Sequence, residues 1–174
     1  MRLDSRKQVP LMIALCLITV FILTGCWGSK EAADNTTQPQ EGVVNQPLRV
    51  GDAEWTVLSA EKLPPNAIEG EQPTQGVFLH VQLKCKNLSQ QSQDPPSVDV
   101  IDSQGNEGGN PTFGWSVTAP ESWGSAIKGQ SMLAGAEISG YYLFEVLPDA
   151  SGFKVKVRGF GMDEQEGQLI KLPI

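Results

Sequence analysis

The sequence predicts an all-β domain, a sandwich of about seven to eight short strands, and three observations predict it. The clearest segments alternate apolar and polar residues with a period of two, as a strand with one buried face must. The 174 residues include 18 Gly and 12 Pro, a load that supplies many turns and disfavours a helical bundle. No stretch carries the apolar spacing of a convincing amphipathic helix.

The elements follow in chain order. Leu48–Val50 and Glu54–Lys62 open the folded part. Val77–Lys86 (VFLHVQLKCK) is the clearest strand, apolar at its odd positions and mostly polar at its even ones. Ser97–Asp102 and Thr112–Val117 are shorter candidates. Between them, Asp102-Ser103-Gln104-Gly105-Asn106 has the residues of a tight reversal, with Gly105 supplying a positive φ. Ile138–Leu147 (ISGYYLFEVL) is apolar on both faces and is expected to lie centrally. Phe153–Arg158 repeats the alternation cleanly, and Gln168–Leu172 closes the set.

Ahead of this domain the chain reads as an address. Arg2, Arg6 and Lys7 form a basic start, relieved by Asp4. Residues Leu11 to Leu23, apolar except for Thr19, are too short for a bilayer span of about 20 residues and fit the apolar core of a signal peptide. The following Leu23-Thr24-Gly25-Cys26 resembles the lipobox of bacterial lipoproteins. That resemblance implies cleavage after Gly25, with diacylglycerol on the Cys26 sulfur, an N-acyl chain such as palmitate, and anchoring on the outer face of the cell membrane. Residues 26–46 are polar and low in apolar side chains, and read as a flexible tether. Its twenty residues after Cys26 reach roughly 25 Å. The expected organisation is therefore a cleaved signal peptide over 1–25, a lipidated linker over 26–46 and a sandwich domain over 47–174.

Composition excludes several functions. The net charge is −7, and signal cleavage makes the chain two charges more negative, so no basic face is left to neutralise nucleic acid. One histidine cannot supply a His-rich metal site, and three cysteines cannot form a disulfide scaffold. Cys16 leaves with the signal and Cys26 takes lipid, so Cys85 is the remaining thiol.

Three blocks of the domain are similar to a family. Phe78–Leu83 leads into Asn87-Leu88-Ser89; Asp102–Asn106 gives an aspartate-x-x-Gly-Asn turn; and Leu133-Ala134-Gly135 precedes Gly140 and Phe144-Glu145-Val146. Together they resemble the immunoglobulin-like extracellular domain common in Gram-positive lipoproteins, related in fold to secreted immunoprotective antigens. Two departures stand in turns: Ala134-Gly135 where that family has Pro-Gly, and Leu147 before Pro148. The resemblance implies an immunoglobulin-like sandwich and no established activity.

The remaining chemistry is sparse. His80 falls on the polar side of its strand, opposite Val81 and Cys85, and reads as a solvated surface residue with no nucleophile beside it. Cys85 reads as a small core hydrophobe. Asp99, Asp102, Asn106 and Glu107 cluster about a turn and are weak calcium candidates, though the turn alone accounts for three residues of that stretch. The segment Glu107–Gly129 is long, Gly-rich and aromatic, carrying Phe113, Trp115 and Trp123. These aromatics either pack against the domain or form a surface for a partner. The expectation is a lipid-anchored, extracytoplasmic, non-enzymatic interaction module with an envelope protein as partner and no nucleic acid. The alternative is a lipoprotein that binds calcium or a cell-wall glycan. No cofactor is expected beyond the lipid on Cys26.

Overall fold

The computed structural model describes residues 41–69, 72–74, 76–109, 121–163 and 166–174. The signal segment, Cys26, most of the tether, Phe113, Trp115 and the candidate strand Thr112–Val117 therefore lie outside the described residues. Among the described residues there is no α-helix, and no helix is long and apolar enough to cross a membrane.

The strands are β1 (Gly42–Val43), β2 (Leu48–Val50), β3 (Ala53–Lys62), β4 (Val77–Asn87), β5 (Asp99–Ile101), β6 (Glu137–Val146), β7 (Lys154–Val157) and β8 (Gln168–Lys171). They form two four-stranded sheets, one ordered β1-β8-β7-β5 and the other β2-β3-β4-β6, so the protein is a β-sandwich as the alternation predicts. All pairings are antiparallel except β1 with β8. Val57, Leu79, Val81, Leu83 and Cys85 from one sheet meet Val100, Val155, Val157 and Ile170 from the other in a single core. Trp55 lies wholly inside it, and its Nε1–H donates to the Arg158 carbonyl at 2.7 Å, which satisfies the buried indole.

Two placements differ from the sequence reading. Gly42–Val43 fall in the segment read as linker, yet pair with β8 at Ile170 and Lys171. The chain then crosses to the other sheet at Asn45, whose φ of 64° an asparagine tolerates. Gly42 fits because an added Cβ would sit 2.8 Å from the Ile170 side chain. β6 is an outer strand of its sheet and not a central one. Its apolar character on both faces has another cause. Tyr142, Phe144 and Val146 face the main core, while Leu143 joins Leu63, Ile68 and Phe78 in a second cluster on the outer face.

Candidate functional site

Among the described residues, two places beyond the core carry chemistry: the covered outer face of the β2-β3-β4-β6 sheet, and a cleft at one end of the sandwich. On the outer face, β4 presents Phe78 and His80, and β6 presents Tyr141 and Leu143. Alternation assigns His80 to the face opposite Cys85, which holds, but the solvated reading of His80 is corrected. The residue is 2% exposed. Alternation tells which face a side chain takes and not whether another segment covers that face. Here the 3₁₀ turn Glu121–Trp123 lies over it, and the Trp123 indole stacks on the imidazole at 4.2 Å between ring centroids and 23° between planes. Tyr141 borders both rings, at 5.6 Å from His80 and 5.5 Å from Trp123.

Neither ring nitrogen of His80 has a hydrogen-bond partner. The Glu61 carboxylate, across the β3–β4 register, lies 3.4 Å from Nδ1, near enough to attract a charge without bonding geometry. Burial holds the imidazole below its ordinary titration range, with the Glu61 carboxylate opposing the shift. Cys85, on the other face, is buried in the core, and desolvation pushes its thiol up to about 12. These two groups share a strand and not a site.

The candidate calcium residues are engaged separately. Asp102 accepts the Gln104 and Asn106 backbone N–H groups on Oδ1 and the Asn106 side-chain amide on Oδ2, each at 2.8 Å. Those bonds, led by the Asn106 amide, hold its carboxyl below the usual carboxylate range. Gly105 takes φ 87°, as the turn requires. Asp99 pairs with the buried Arg158 guanidinium, which also donates to Ser97. Among the described residues no group of three or more His, Cys, Asp or Glu side chains is placed to hold a metal ion.

What the sequence did not reveal is the cleft. Its volume is about 300 Å³, at the small end of ligand pockets. The chain crosses from one sheet to the other here. Glu107 bridges to Ile101, and Gly109 exchanges two backbone bonds of 2.9 and 2.8 Å with Glu145. Gly108 sits at the crossing, where an added Cβ would lie 2.3 Å from Val100 Cγ1. The lining combines Asp102, Glu107 and Glu145 with the apolar Val146, Leu147 and Phe153, and the described lining residues include no lysine or arginine. Leu147, one of these lining residues, is 48% exposed. The Gly108-Gly109 pair was the one sequence signal of a close crossing.

Comparison with known proteins bears on the fold. No family model matches the chain, and no curated protein matches it. The chain is similar in structure to the yjhA protein of Bacillus subtilis, with a TM-score of 0.55 and 14% identity over 75% of this chain and 98% of that one. It is similar too to MPT63, a secreted protein of Mycobacterium tuberculosis, with a TM-score of 0.52 and 17% identity over 77% of this chain and 96% of that one. At these identities the likeness shows a shared β-sandwich.

Proposed function

We propose that this protein is a lipid-anchored, extracytoplasmic, non-enzymatic interaction module whose cleft takes a cationic, partly apolar segment of an envelope protein. The observation that carries the reading is the make-up of the cleft: Glu107 and Glu145 line it beside Val146, Leu147 and Phe153, and no basic residue stands among the described lining. The non-enzymatic part rests on His80 and Cys85. The chain's single imidazole is sealed beneath Trp123, and the Cys85 thiol is protonated in the core. The anchor rests on the lipobox resemblance at Leu23–Cys26.

A photocrosslinking residue placed at Leu147 or Glu107 in the full chain, expressed in its own membranes, tests the surface. A matched label at Leu133, 72% exposed near the opposite end of β4 and β6, is the control. The expected result is one discrete protein adduct from the two cleft positions, reduced several-fold by Glu107→Gln. Equal labelling at Leu133, or no adduct anywhere, overturns the reading. Competition by millimolar calcium or by wall glycan fragments in place of a protein adduct would favour the alternative. Cys26→Ala should release the chain from the membrane fraction; retention there counts against the anchor.

A further inference from the structure

We propose that His80 and Trp123 form a protonation-sensitive clasp, in which a charge on His80 releases the Glu121–Trp123 turn from the sheet. Three features of the geometry support this. First, His80 is buried with both nitrogens unbonded, so the neutral ring is tolerated but the cation gains an N–H with no acceptor at Nε2. The indole face at 4.2 Å attracts a charge on the stacked ring, so release follows from the unsatisfied Nε2–H outweighing that attraction.

Second, the charged and titratable groups around the ring do not compensate fully. Glu61 on β3 faces Nδ1 but is itself 62% exposed, and β6 contributes the Tyr141 phenol. Glu121 on the turn and Glu69 on the segment after β3 are exposed. Along β4, Lys84 is paired with Glu137.

Third, the covering segment is lightly held. Gly124 follows the turn at φ 74°, with open space where a Cβ would stand, and in the proposal it serves as the hinge. Beyond it, Ile127 is wholly buried and anchors the far end. Between hinge and anchor the segment holds β6 by two long bonds: Tyr141 N–H to the Ser125 carbonyl at 3.3 Å, and Ile127 N–H to the Tyr141 carbonyl at 3.2 Å. Lifting the turn therefore hydrates the imidazole without disturbing the sheet. The released face exposes Trp123, Tyr141 and His80 together.

The test is amide hydrogen exchange on the full chain in detergent micelles, combined with NMR titration of His80, which is unambiguous because the chain has one histidine. Expressed as a protection factor, Tyr141, whose N–H bonds the covering segment, should lose at least about tenfold between about pH 7.5 and about pH 5, while Leu83 is unchanged. His80 should titrate below its ordinary 6.5, and the loss should track its midpoint. In His80→Phe, which keeps an aromatic stack and carries no charge, the pH dependence should vanish. A His80 midpoint at or above 6.5, or the same loss in His80→Phe, overturns the proposal. Should His80→Phe fail to fold, Glu61→Gln serves, since that position is exposed. It should move the His80 midpoint and the loss of protection downward together, and a movement of one without the other overturns the clasp.

Discussion

Asn87 is wholly buried at the end of β4, and its amide holds two loops to the sheet. Nδ2 donates to the Gln91, Met132 and Leu133 carbonyls at 2.8, 3.3 and 3.2 Å, and Oδ1 accepts the Ser89 N–H at 2.9 Å. The Asn-x-Ser of the family resemblance is thus a loop-fastening device with a physical reason: one side chain both donates and accepts. Asn87→Ala should destabilise the domain by about 2 kcal/mol, because the carbonyls keep other donors in part but the Ser89 N–H loses its acceptor. Asn87→Asp should cost more at neutral pH, since a carboxylate would face three carbonyl oxygens. Urea midpoints of the two variants order them, and the reverse order would refute this role. The same residue scale marks what the sequence concealed. Arg158 ends an alternating strand and looks solvated, yet is 3% exposed and paired with Asp99 from β5, a partner 59 positions away that no local pattern announces.

At the scale of elements, most strands were legible because period-two alternation is imposed by burial on one face. Leu48–Val50 coincides with β2, and Val77–Lys86 falls one residue short of β4. β1 was not legible, for two residues carry no period and Gly42 carries no side chain to reveal it. Nor was the covering of the outer face, since a strand's pattern is silent on what packs above it. Glycine marks the close approach. An added Cβ at Gly140 would lie 2.1 Å from the Ser125 carbonyl oxygen, so only glycine lets the covering segment reach β6. Gly140→Ala should displace residues 125–127 and cost about 2–4 kcal/mol through lost bonds and loosened packing of Ile127. Gly135→Ala is the comparison: it sits at φ 73° with open space, where only backbone strain of about 1 kcal/mol applies. Thermal unfolding of both should separate them, and equal losses would mean that the contact at Gly140 relaxes freely.

For the whole molecule, the titrating groups set how the sandwich responds to acid. His80 has its folded-state value below its ordinary 6.5, chiefly from burial, so the unfolded chain takes up this proton first as pH falls. Stability from the neutral ring is complete above 6.5 and declines below it, by at most about 1.4 kcal/mol per pH unit for one proton, until the folded value is passed. Asp102 behaves separately. Its carboxylate is held below its ordinary 3.8 by the Asn106 amide first and then by backbone N–H groups, so its contribution persists above 3.8 and disappears beneath it. The unfolding midpoint should therefore decline in two stages, one starting near 6.5 and one below 3.8. His80→Phe should flatten the first stage and leave the second, while Asn106→Ala should shrink the second and leave the first. Urea midpoints across this pH range measure both. A first stage that survives His80→Phe would place the titrating group elsewhere. The two stages are separable because His80 lies on the outer face of one sheet and Asp102 in the turn after β5 of the other, without a shared partner.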